Sequence, residues 1–185
     1  SRFNFTNTSI RGVKLIGRTR LRDQRGFFER VFCDREMDSV LGGRSVVQIN
    51  RTFTARKGAV RGLHFQHPPN AEMKIVTCLK GEIFDVVVDL RRGSSSFLQF
   101  HAERLSAHDG NMLVVPEGFA HGFQALTRDC ELMYLHTAHY ESAAEDGLNA
   151  LDPKLAITWP IVITDVSDRD KNQPMIHAGF SGLVL

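Results

Sequence analysis

The chain is poor in cysteine and contains no long apolar run. Its three cysteines, Cys33, Cys78 and Cys130, are odd in number, far apart and in no CxxC spacing. That argues against a disulfide framework and fits free thiols in a reducing compartment. No apolar stretch approaches the roughly 20 residues that span a bilayer, so no membrane-spanning helix is expected. The opening residues Ser1-Arg2-Phe3-Asn4-Phe5 lack the charged and apolar regions of a signal peptide. Together with the thiols, this makes the cytoplasm the expected compartment. Net charge is small, since 23 Lys and Arg against 21 Asp and Glu leave +2. Neither nucleic acid nor a membrane surface is therefore indicated as a partner. No linker, low-complexity tract or internal repeat interrupts the chain, so residues 1–185 read as a single domain with one buried core.

What is present is mostly strand pattern. Val13–Gly17, Phe27–Phe32 and Val46–Phe53 are early strand candidates. Between the last two, Asp34–Leu41 reads as a short helix, acidic at its start and closed by Gly42-Gly43. From residue 58 onward the signals are nearly all β. In Glu82–Leu90, Phe84, Val86, Val88 and Leu90 form an unbroken apolar face, while Asp85 and Asp89 interrupt the other. Further strands are expected at Leu98–Leu105, Asn111–Val115, His121–Leu126 and Glu131–His136, with turn signals between them. Short strands at this regular spacing argue for a β-sandwich or barrel rather than an α/β sheet. The segment after Asp152-Pro153 reads as irregular, with one short helix at most.

The stretch Arg61-Gly62-Leu63-His64-Phe65-Gln66, then a loop marked by Pro68 and Pro69, then Lys74 on a second strand, carries the first chemical signal. Alternation puts Gly62, His64 and Gln66 on one face, and Lys74 on a face with Val76 and Cys78. A histidine and a lysine on two such strands can point into one cavity. His64 admits two readings, a pocket histidine with satisfied hydrogen bonds or a general base with a pKa near operating pH. Gly58-x5-His64-x-Gln66 and Gly110-x5-Pro116-x-Gly118-x2-His121 resemble the two signature motifs of the cupin superfamily, small β jelly rolls with metal-ligating histidines inside the barrel. Gln66 stands where the first motif usually has a second histidine, and only Glu72 is available, at loose spacing, as its glutamate. A metal site of this type needs three or four convergent N/O ligands, so no metal is expected.

Taken in order, Arg25-Gly26-Phe27-Phe28-Glu29, Gln48-x-Asn50, Arg61–Gln66, Lys74, Gly81–Arg91 and Pro116–Phe123 resemble the dTDP-4-dehydrorhamnose 3,5-epimerase family. The similarity continues through Tyr134, Asp152-Pro153 and Trp159-Pro160 to Asp170. The resemblance implies an all-β, cupin-type β jelly roll with a few short helices, a homodimer, and catalysis with no metal and no cofactor. It further implies epimerisation at C3, C5 or both of a nucleotide-linked 4-keto-6-deoxy hexose in deoxysugar biosynthesis. His64 would be the base, oriented by Asp170; Lys74 would stabilise the enolate oxygen at C4; Tyr134 would protonate the opposite face. Arg25, Phe27, Glu29, Gln48, Asn50 and Arg61 would bind the nucleotide, some of them from the neighbouring subunit, and His121 would line the same cavity. His139 stands where the family usually carries the first of two adjacent tyrosines, near the sugar. Two enzymatic alternatives stay open on sequence alone. One is a monoepimerase for a related 4-keto sugar. The other is a metal-dependent cupin oxygenase, which would require His64, His121 and a carboxylate to converge on iron. A non-catalytic sugar-nucleotide binding module is the third.

Overall fold

A computed structural model describes residues 1–185. The first strands are β1 (Phe3–Asn7), β2 (Lys14–Arg18), β3 (Arg20–Asp23) and β4 (Gly26–Glu29), followed by the helix α1 (Asp38–Leu41). Next come β5 (Gln48–Thr54), β6 (Val60–Gln66), β7 (Lys74–Lys80), β8 (Glu82–Asp89) and β9 (Phe100–Ser106). The chain continues through β10 (Met112–Val115), β11 (Phe119–Ala125), β12 (Cys130–His136) and β13 (Glu145–Gly147) to α2 (Asp168–Lys171).

Two antiparallel sheets form a jelly-roll sandwich. One has the order β1-β2-β10-β7-β12-β5 and the other β13-β6-β11-β8-β9, while β3 and β4 form a separate hairpin. Period-2 alternation fills the space between the sheets. Val76 and Cys78 of β7, Leu113 and Val115 of β10, and Leu132 of β12 meet Ile83, Val87, Leu105 and Phe123 from the opposite sheet.

Both outer faces are also covered. Met37, Val40 and Leu41 around α1 pack on Ile16, Ile75, Met112 and Leu135. The irregular C-terminal segment lays Leu148, Leu155, Ile176 and Leu183 over Val86, Val88 and Leu90. Asp85 and Asp89, which interrupt the other face of β8, are fully buried as well. Asp89 is held by Arg91, Ser94 and Ser96, which supply the hydrogen bonds a buried carboxylate requires.

Other boundaries shift for local reasons. Only Asp38–Leu41 is helical; Asp34–Met37 form turns, with Glu36 drawn back to the Arg2 N–H at 2.7 Å. Gly42 ends the helix in the left-handed region at φ 56°. The strand expected over Phe27–Phe32 stops at Glu29, where its pairing with β3 ends.

Candidate active site

A cavity of about 800 Å³ opens at one end of the sandwich, lined by Arg61, His64, Lys74, His121, Tyr134 and Asp170 among others. Five elements supply these groups. β6 contributes Arg61 and His64, β7 Lys74, β11 His121, and β12 Tyr134; α2 lies across the open side with Asp170.

Strict alternation would send Arg61 and His64 to opposite faces. The β6–β11 register shifts between His121 and Phe123, and Gly62 sits there at φ 118°. A Cβ on Gly62 would lie 2.5 Å from the Gly122 Cα. Only glycine fits so close a backbone crossing at that φ. The bulge thus brings Arg61 and His64 to one cavity.

The Nε2 atom of His64 lies 2.6 Å from Asp170 Oδ1, and the Gly62 N–H donates to Asp170 Oδ2 at 3.2 Å. Ser167 caps α2 by accepting from the Asp170 N–H, which fixes the backbone carrying the carboxylate. Burial alone would raise the Asp170 pKa; the hydrogen bond and charge of His64 and the Gly62 N–H outweigh it and hold the carboxyl below its usual range. With Nε2 committed to Asp170, Nδ1 of the half-buried His64 ring has no protein partner.

On the facing sheet, Tyr134 is 9% exposed. Burial, with the Asp85 charge adding to it, pushes its phenol well above the ordinary value, against smaller opposing effects of Thr52 and Arg61. Such a group keeps its proton at neutral pH and can act as an acid. Its ring meets His121 edge-on at 5.9 Å and stacks on His136 at 6.0 Å. His121 belongs to a second dyad, its Nε2 2.6 Å from the buried Asp85 Oδ1. The Lys74 ammonium is nearly enclosed and lies 3.1 Å from Glu72 Oε1.

The first cupin motif does not build a metal centre here. His64 is tied to Asp170, His121 to Asp85, and Glu72 to Lys74 and His136. No three His, Cys, Asp or Glu side chains converge as a ligand set.

Six of the twelve site residues expected from the sequence lie elsewhere in this single chain. Arg25 and Phe27 sit on the β3–β4 hairpin beside a separate shallow hollow. The Arg25 side chain is 90% exposed and paired only with Asp23. Glu29 is bound to Arg20 and Arg18. Gln48 and Asn50 line the edge strand β5, hydrogen-bonded to each other at 3.2 Å, and His139 is exposed, its carbonyl accepting from Gln66. Conversely, Arg56 and Arg169 line the cavity without having been singled out. Neither has any local sequence signal, and Arg169 is recognisable only by its place beside Asp170.

Comparison with known proteins decides the family. The family model described as dTDP-4-dehydrorhamnose 3,5-epimerase matches residues 7–178. The chain belongs to this epimerase family. A relative of that name from Sinorhizobium fredii is 40% identical over 173 residues, which cover 93% of this chain and 89% of the relative. The crystal structure of dTDP-6-deoxy-D-glucose-3,5-epimerase from Legionella pneumophila, in complex with dTDP-4-keto-L-rhamnose, superposes with a TM-score of 0.92 at 34% identity, covering 99% of each chain. The family also includes a dTDP-4-dehydrorhamnose 3-epimerase from Streptomyces niveus, 37% identical over 164 residues and covering 88% of this chain and 79% of that relative.

Proposed function

We propose that this epimerase acts at C3, C5 or both of a dTDP-linked 4-keto-6-deoxy hexose. One observation carries the reading: a His64–Asp170 dyad and a protonated buried Tyr134 line the same cavity from opposite sheets, with Lys74 beside them. The C4 carbonyl acidifies the adjacent C–H bonds. His64 removes such a proton through Nδ1, and Asp170 fixes the ring and offsets the imidazolium charge. Lys74 stabilises the enolate oxygen that develops at C4, where a preorganised charge lowers the barrier. Tyr134 returns a proton to the other face, inverting the centre. The chemistry runs on these side chains, with proton transfer contributing about 10²–10⁴-fold.

Arg61 is the nucleotide-binding residue already at the cavity; its fork suits a diphosphate. Arg25, Phe27 and Glu29 complete the site from the neighbouring subunit of a homodimer. The support for this lies in the β3–β4 hairpin, which exposes Phe27 by 51% and Phe28 by 65% away from its own cavity. The outer edge strand β5 adds Ile49 and Phe53, also more than half exposed. Burying such side chains in an interface would contribute about 1.5–3 kcal/mol each. Incubation with dTDP-4-keto-6-deoxyglucose in D₂O, followed by NMR, tests the function. Deuterium should enter the sugar at C3, C5 or both, and the pattern separates a double epimerase from a monoepimerase.

A further inference from the structure

Lys74 is not alone on its wall. Glu72 accepts from the Lys74 ammonium at 3.1 Å and from His136 Nδ1 at 2.8 Å. His136 Nε2 lies 3.3 Å from the Asn50 amide nitrogen, which assigns Nε2 as acceptor and Nδ1–H as donor to Glu72. Lys74 and His136 are direct cross-strand neighbours on β7 and β12, and His136 faces Gln48 on β5. The side chains of Glu72, Lys74 and His136 are about nine-tenths buried.

We propose that Glu72 and His136 are positioning residues that keep the Lys74 ammonium charged and aimed at the substrate's C4 oxygen; this rests on the role given to Lys74 above. The local fold enforces the arrangement. Met73, between Glu72 and Lys74, is buried with α1 on the opposite face, so its two neighbours must both point inward. Its backbone is clamped to Thr137 in both directions, at 2.9 and 3.0 Å. Thr137 follows His136 directly, so the two ends of the triad are fixed to one another.

The charges also balance. A buried ammonium without a counter-ion is costly, and a carboxylate at this distance supplies it. Burial works against the Glu72 anion, but the His136 hydrogen bond and the Lys74 charge outweigh it and hold its pKa below the usual range. His136 also braces Tyr134, its ring stacked on the phenol at 6.0 Å. One pair therefore orients both groups assigned to the face opposite His64.

Glu72→Gln tests the pair, because it keeps the volume and an acceptor for His136 while removing the charge. The groups that could confuse a pH profile are few. β10 places only apolar residues beside β7, and β12 places Tyr134 and His136 there. Across the cavity stand His64, His121, Asp165 and Asp170, with Arg56, Arg61 and Arg169. Loss of a neighbouring anion disfavours the cation, so the alkaline limb of kcat should move about 1–3 pH units lower. Above the shifted limb kcat should fall about tenfold per pH unit, with KM and the affinity for dTDP alone nearly unchanged. Glu72→Asp keeps the charge but cannot reach both partners; kcat should fall while the limb stays near its wild-type position. A wild-type limb and kcat in E72Q, or, if E72Q does not fold, a wild-type kcat in E72D, overturns the proposal. Lys74→Ala separates the two levels. Retained solvent exchange in K74A overturns the role of Lys74 itself. Lost exchange in K74A with an unaltered E72Q profile overturns only the positioning pair.

Discussion

Asp170→Asn isolates the dyad most cleanly, because it changes charge and tautomer while leaving shape. The wild-type carboxylate is 5% exposed, 2.6 Å from His64 Nε2, and anchored by the Gly62 N–H. An asparagine amide can sit in the same place, but it offers no charge to the imidazolium that forms during proton abstraction. If its NH₂ turns toward His64, Nε2 must accept, and the ring proton moves to Nδ1, the atom needed as base. A hydrogen bond to a charged group contributes about 1.5–3 kcal/mol, which converts to about 10- to 150-fold in rate. Deuterium wash-in at the sugar carbons, measured by NMR on a variant with a wild-type circular dichroism spectrum, reads the effect. Exchange within about twofold of wild type refutes the dyad. The same variant carries a stability signature. The folded-state pKa of Asp170 lies below its unfolded value, so this carboxylate stabilises the fold above about pH 4 and loses that contribution as pH falls further. Between pH 5 and 3, D170N should therefore lose less stability than wild type in urea melts; an equal loss contradicts the assigned shift.

Tyr134→Phe should reduce formation of inverted product by about 10²–10⁴-fold while His64-side exchange persists, since the base can return a deuteron to the face it came from. Coupled turnover and NMR on one sample distinguish the two, and full inversion would remove Tyr134 from the mechanism. Gly62→Ala places a Cβ 2.5 Å from the Gly122 Cα at φ 118°, which should cost about 1–3 kcal/mol and lower Tm by about 2–4 °C for each of them; an unchanged melt contradicts the need for glycine at the bulge. For the dimer, Arg25→Ala and His64→Ala proteins should each be impaired alone. Refolded as an equimolar mixture they should recover about a quarter of wild-type activity, because half the dimers would hold one intact composite site; no recovery argues against a shared site.

How far the sequence reached depended on the kind of signal. Period-2 alternation located β5 to β12 and turned His64 and Lys74 inward, because one face of each strand must be buried. It overlooked β1, β3 and β13, which are three to five residues long with too little alternation to register. Asp85 looked like a flaw in an apolar strand; its partner His121 is 36 residues away, and spacing cannot announce that pair. Glu72 was considered only as a loosely spaced metal ligand, and nothing local connected it with His136, 64 residues on. Asp170 entered through family resemblance alone, since a carboxylate in an irregular segment carries no pattern until α2 is seen lying against β6. The hairpin residues Arg25 and Phe27 illustrate the remaining limit, because one chain does not bring them to the cavity.

The central claim is that His64 takes a proton from a carbon next to a keto group. Its most direct test is the incorporation of solvent deuterium into dTDP-4-keto-6-deoxyglucose by the wild-type protein and by His64→Ala, followed carbon by carbon. Deuterium at C3, C5 or both with the wild type, and at neither with the variant, is the predicted result. No exchange with the wild type, or equal exchange with the variant, would contradict it.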